Sequence, residues 1–174
     1  MISTAPVTPQ RLPEEFERIY GEHSKFIYRT AYRITGNSED AEDAMQTLFM
    51  RMLRRELPPD FNKNPRAYLY RAAVNISLNI VRDRKFCSPD PVPEDSLPQA
   101  GSRAEEQARE TLRQAMAELS PKAAEILILR HVHGYSDAEI AKFLGTSRGT
   151  IAVSLFRTRA RLRKVIRARM GDHV

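Results

Sequence analysis

Between Arg157 and Arg169 the chain carries Arg157, Arg159, Arg161, Arg163, Lys164, Arg167 and Arg169 without one carboxylate. Like charges three and four residues apart on a helix repel, and solvated faces usually mix signs. An unmixed cationic run points instead to a polyanion, and phosphate is the natural one. Just upstream, Ser136-Asp137-Ala138-Glu139 reads as a capping box. Its helix runs to Gly145, and Thr146 and Ser147 lead into a long basic helix from about Arg148 to Arg169. Two helices broken by a short Gly-containing turn are the signature of a helix-turn-helix. Ala141 is small enough for the crossing point, and Ile140, Leu144, Ile151 and Leu155 would form the shared core. In that arrangement Thr146, Ser147 and the amides opening the second helix face phosphate. Arg148, Ala152, Val153, Phe156 and Arg157 would enter the major groove, with Arg159 and Arg161 on the backbone beside it.

A second constellation lies earlier. Tyr68, Arg71, Asn75, Asn79 and Arg82 are spaced by three or four and share one face of a helix. Two asparagines in an exposed helix cost several tenths of a kcal/mol each against better helix formers. Amides bond base edges, an aromatic ring stacks on a base, and arginines hold a phosphate backbone, a set that suits unpaired DNA. The plain alternative, tolerated polar residues on a solvated face, stays open on spacing alone.

Catalysis finds no support. His23, His131, His133 and His173 are scattered, and Cys87 is the single cysteine. Neither a zinc site nor a nucleophile with its base assembles from neighbours, and no glycine-rich phosphate loop is present. The expectation is a protein that is not an enzyme and needs no cofactor or metal.

These residues sit on helices. Helical periodicity recurs and strand alternation does not, so the expected fold class is all-α. Phe16, Ile19, Tyr20, His23, Phe26, Ile27, Thr30 and Ile34 form one face of a first helix, ended by Gly36. A second starts near Asn37 or Ser38, with Glu39, Asp40, Glu42 and Asp43 in its opening turns. Its stripe is Ala41, Ala44, Met45, Leu48, Phe49, Met52 and Leu53. A third follows Asn64, with Pro65 at its first position and a stripe of Leu69, Ala72, Ala73, Ile76 and Ile80. Ser120-Pro121 opens a further helix to about His133.

Charge divides the chain. Residues 88–110 hold six acidic residues against two basic, with prolines at 89, 91, 93 and 98. Residues 112–174 hold twelve basic against five acidic. This predicts two small helical domains, an N-terminal bundle over 11–86 and a helix-turn-helix domain over 111–170, joined by a flexible acidic linker over 87–110. Few apolar anchors in the linker imply domains that act semi-independently, and a fragment from about residue 112 that folds alone. The 174 residues carry a net charge of +6, in keeping with an anionic partner. Residues 1–10 lack the apolar run of a signal peptide, no stretch is long enough to span a bilayer, and a lone cysteine fits a reducing cytoplasm.

At these residues the sequence resembles the extracytoplasmic-function (ECF) group of bacterial RNA polymerase sigma factors. Ala31 to Asp43 looks like the family's first block, Pro65 to Asn75 like its promoter-melting helix, and Leu119-Ser120-Pro121 with Gly134 to Ala141 like its C-terminal domain. The resemblance implies region 2-like and region 4-like domains that bind core RNA polymerase, at its clamp helices and flap, and promoter DNA. By that resemblance Asp40, Asp43, Gln46 and Phe49 dock on the clamp helices. Phe61, Asn62, Lys63, Asn64, Tyr68 and Asn75 capture a flipped base of the minus-ten element, within a DNA-binding face that includes Arg71, Asn79 and Arg82. The last domain reads the minus-thirty-five element as duplex, the acidic linker threads toward the polymerase active-site cleft, and an anti-sigma factor is a further partner. The chain departs from the family pattern at Thr47, where an acidic residue is usual, and at Ala152 and Ser154, where basic ones are frequent. Fewer cations imply weaker, less salt-sensitive binding, or thymine methyl groups read by Ala152 and Val153. Two other readings remain: a dimeric helix-turn-helix regulator that acts alone, and an adaptor whose first bundle docks only on protein.

Overall fold

The computed structural model describes residues 14–54, 61–87 and 103–170. Among the described residues there are seven α-helices and one 3-10 turn, with no strand. The helices are α1 (Glu14–Thr35), α2 (Ser38–Leu53), α3 (Pro65–Cys87), α4 (Arg103–Ala117), α5 (Pro121–His131), α6 (Asp137–Leu144) and α7 (Arg148–Met170), and the turn spans Phe61–Lys63.

Local chemistry sets most boundaries. Gly36 takes a φ of 80° after α1, which only glycine adopts cheaply. Asn37 caps α2 by accepting from the Asp40 amide at 2.8 Å. Asn64 caps α3 by accepting from the Ala67 amide at 3.1 Å, with Pro65 following. Ser120 caps α5, and both halves of the Ser136–Glu139 capping box are formed on α6. Gly145, with a φ of 69°, closes α6, and Ser147 accepts from the Thr150 amide to open α7. The expectation of a flexible linker over 87–110 needs correction at both ends. Cys87 ends α3, and residues 103–110 open α4 rather than extending. Every linker proline precedes them, and Glu106–Arg109 and Glu110–Arg113 pair at helical spacing. Residues 88–102, with the four prolines, lie outside the described residues, as do residues 1–13.

A first core joins α1, α2 and one face of α3 through Ile19, Ile27, Ala44, Leu48, Leu69 and Ile76. The second core departs from the sequence expectation. Tyr70, Val74, Leu78 and Val81 form another apolar stripe on α3, about 130° around the helix from the first. This stripe and Ile34 of α1 are buried in one cluster with Met116, Leu119, Ile126, Leu129, Ile140 and Ile151 of the second domain. The two domains are therefore packed together, with α3 between them. A fragment starting near residue 112 would expose that cluster, at about 1.5–3 kcal/mol for each large side chain uncovered.

Polar contacts follow the same seam. The buried Tyr70 hydroxyl donates to the Glu125 carbonyl at 2.5 Å. Burial, reinforced by the Glu125 carboxylate, pushes its pKa well up, so it stays protonated. His133 of the second domain meets Thr30 Oγ1 at 2.8 Å and lies 4.1 Å from the Phe26 ring. Arg29 donates across to the Val132 carbonyl at 3.4 Å.

Candidate nucleic-acid interface

The helix-turn-helix is formed by α6 and α7. Ile140, Ile151 and Leu155 are buried between them, Ala141 is buried at the crossing, and Leu144 is half-buried. Anchoring that edge leaves the opposite side of α7 free. Arg148, Ala152, Val153, Phe156 and Arg157 are all exposed there. Phe156 is 75% exposed and Val153 49%. A phenylalanine so open contributes nothing to the fold, and its area is left for a partner. Thr146 is half-buried, and Ser147 uses its hydroxyl on the helix it caps, bonding Thr150 Oγ1 at 2.9 Å. Arg159 turns away from Phe156 to lie 3.4 Å from His131, while Arg161 remains exposed. Partial burial, and then the neighbouring Arg159 and Arg130, lower the His131 pKa. At the far end Arg169 is held by Gln114 of α4 and by Glu118 just beyond its end.

A groove of about 560 Å³ runs where the start of α5 meets α7, and Lys122, Arg157 and Arg161 line it with Ser120 and Thr150. Three cations beside a helix N-terminus make a cradle for backbone phosphate. Sequence reading missed Lys122, although a signal existed: a cation in the first turn opposes the helix dipole.

On α3 the polar stripe is divided. Its edge nearer the second domain is already engaged. Arg82 donates from Nε to the Ala117 carbonyl at 3.0 Å and from Nη2 to the Leu119 carbonyl at 2.7 Å. Arg71 donates to the Leu144 carbonyl at 2.9 Å. The outer edge is open: Asn75 and Asn79 are exposed, and the Asn75 amide reaches only the Arg71 carbonyl of its own helix at 2.9 Å. Tyr68 is half-buried, edge-on to Phe61 at 5.4 Å. Beside it, Arg51, Met52, Leu69, Ala72 and Ile76 line a cavity of about 270 Å³ between α2 and α3. Arg51 was not legible as a site residue. In the preceding turn Asn62 and Lys63 are exposed, whereas the Phe61 side chain is buried and Asn64 spends its carbonyl on the α3 cap.

The residues expected on a protein-docking face also divide. Asp43 and Gln46 are exposed on α2 with Thr47. Asp40 and Phe49 are 3% and 4% exposed, so their side chains are not on that surface. The Asp40 carboxylate bonds the Asn37 amide at 2.7 Å and Arg84 at 2.6 Å. Phe49 packs on Phe16 and Tyr20. In their place Met50, 49% exposed, and Leu53, 37% exposed, share the face of Asp43 and Gln46. Leu53 thus lies outside the core stripe to which its spacing assigned it.

The paired arrangement has known counterparts. The family model for Sigma-70 region 2 matches residues 19–86 and that for Sigma-70, region 4 matches residues 109–162. The RNA polymerase sigma-E factor of Streptomyces coelicolor is 32% identical over 161 residues, covering 91% of this chain and 89% of that protein. The ECF RNA polymerase sigma factor SigE of Mycolicibacterium smegmatis is 30% identical over 158 residues, covering 85% and 60% respectively. The chain belongs to the ECF group of RNA polymerase sigma factors. As a sigma factor it directs promoter-specific initiation by RNA polymerase and is not an enzyme. The match over both domains sets aside a lone dimeric regulator and a protein-only adaptor. Its fold is shared with Bartonella quintana RpoE, solved in complex with the anti-sigma factor NepR, at a TM-score of 0.52 and 20% identity over 89% of this chain and 98% of that one. Among the described residues no helix of this sigma factor is long and apolar enough to cross a membrane.

Proposed function

We propose that α7 reads the minus-thirty-five element as duplex, and that the outer edge of α3 with the Phe61–Asn64 turn captures the minus-ten element as single strand. The observation that carries the duplex half is the exposed tip of Val153 and Phe156, flanked by Arg148 and Arg157 on the second helix of a helix-turn-helix. Apolar side chains at a groove floor read thymine methyl groups, while the cradle of Lys122, Arg157 and Arg161 positions the backbone. On the minus-ten side, Asn75 and Asn79 supply amides for base edges, and the cavity beside Tyr68 and Arg51 suits an unstacked base. In this assignment Asn64 and Phe61 shape the turn, and Asn62 and Lys63 do the contacting.

Core polymerase docks on the α2 face of Asp43, Gln46, Thr47, Met50 and Leu53, where two exposed apolar side chains sit among polar ones. An anti-sigma protein covering that face would compete with polymerase, and the chain acts in the cytoplasm. The domain division of 11–86 and 111–170 is kept as a functional one. The test is run-off transcription with core polymerase over a promoter library, comparing the parent with Phe156→Ala and Asn75→Ala. Promoter-specific transcripts that depend on both residues support the assignment. Transcripts indifferent to both variants would remove it.

A further inference from the structure

A second groove, of about 530 Å³, opens on the other side of α7 from the Lys122 cradle. Its α7 residues Leu162 and Ile166 lie about 140° around the helix from Arg157 and Arg161. The floor is apolar. Leu112 and Met116 of α4, Leu127 and Ile128 of α5, and Leu162 and Ile166 of α7 line it from three helices. Leu112 is 46% exposed there, and a large apolar side chain held open beside a groove is area left for a ligand. The rim is cationic. Arg159 and Arg163, one turn apart on α7, are joined by Arg33 from the last turn of α1, and all three are exposed. Among the described residues none of the three has a carboxylate partner, and no Asp or Glu lines the groove. Arg159 meets only another potential cation, the His131 ring at 3.4 Å. Like charges one turn apart repel, and an anion shared between them removes that cost.

The chemistry selects a class of ligand. The volume falls within the roughly 300–1,000 Å³ of small-molecule pockets, which are mostly apolar with a few polar groups that fix orientation. No Phe or Tyr lines the groove, so a nucleotide base finds no ring to stack on. An alkyl chain suits the floor, and a carboxylate suits the planar guanidinium forks. We propose that this groove binds a single-chain alkyl carboxylate of the fatty-acid type, with its chain along Leu112, Leu127, Leu162 and Ile166 and its head held by Arg33, Arg159 and Arg163. None of these residues belongs to the surfaces assigned above to promoter DNA or polymerase.

The experiment uses the full chain. Isothermal titration calorimetry compares decanoate and dodecanoate below their micelle concentrations, with dodecyltrimethylammonium carrying the same chain under a positive head. Methyl-labelled methionine reads Met116, whose side chain lines the groove. Dodecanoate should bind at one site with a negative change in heat capacity and shift the Met116 resonance. It should bind about tenfold more tightly than decanoate, because each buried methylene is worth up to about fourfold. The ammonium should not bind. Arg33→Gln and Arg163→Gln, both at exposed positions, should each weaken dodecanoate about fivefold. Leu112→Gln should weaken it as well, with circular dichroism confirming retained helix in every variant. Equal binding of the ammonium, parent affinity in the folded arginine variants, or an unmoved Met116 resonance overturns the proposal. So does a groove that takes a Glu/Leu amphipathic helical peptide but neither carboxylate, which would assign it to a protein partner.

Discussion

The His133 imidazole makes the seam sensitive to acid, and the size of the effect follows from its surroundings. The Thr30 hydroxyl donates to the Phe26 carbonyl at 2.9 Å, so at 2.8 Å it must accept from His133 Nε2, leaving Nδ1 as the site of further protonation. Burial, with Arg29 and Arg66 nearby, lowers the His133 pKa from 6.5 to about 4. Tyr70 and Tyr135 also face the ring. The unfolded chain takes up this proton near pH 6.5 and the folded chain only near pH 4, so the unfolded state binds more protons across that window. Unfolding free energy then rises with pH there. His133 leaves stability untouched above about pH 7.5 and subtracts from it progressively as pH falls through the window. A fall of that size corresponds to about 3 kcal/mol at full effect, and solvent screening of a half-buried ring brings it to about 1.5 kcal/mol. His133→Gln keeps a donor for Thr30 and does not titrate. Urea unfolding of parent and variant, followed from about pH 7.5 down to about pH 4.5, isolates the difference because the other titrating groups are common to both. The stability advantage of the parent should shrink by about 1.5 kcal/mol over that range. A difference that stays constant would refute the reasoning.

Three further outcomes are expected. Phe156→Ala should leave urea stability unchanged, because the ring is 75% exposed. It should weaken sequence-specific duplex binding about tenfold, within the range for a lost base contact, as read by competition between a cognate and a scrambled duplex. Asn75→Ala should impair promoter opening, read by permanganate at the start site, by about 1–3 kcal/mol while leaving duplex binding intact. Arg84→Ala removes the ion-pair partner of the buried Asp40. Asp40 keeps its Asn37 bonds, so the expected cost is about 2 kcal/mol in a denaturant titration.

Much of this architecture was legible in the sequence because it rests on local rules. Caps at Asn37, Asn64, Ser120, Ser136 and Ser147 and positive-φ glycines at 36 and 145 are chemistry within a few residues. The exposed reading edge of α7 followed from the period of its buried residues. Composition separated the prolines near residue 90 from the core, but it misjudged residues 103–110, whose charges pair along a helix.

What only the tertiary structure decided is who meets whom. Periodicity shows that Asp40, Phe49 and Leu53 lie on α2, but Arg84 and the rings of Phe16 and Tyr20 draw the first two inward and leave the third exposed. The Tyr70–Val81 stripe was visible as apolar residues, yet a second apolar face on one helix does not name its partner. The physical reason is range. A cap or a turn is fixed by atoms a few bonds apart, whereas Arg82 finds its acceptors 35 and 37 residues away. Arg71 finds its acceptor 73 away. Such pairings exist only once burial of the shared core has brought the two domains together.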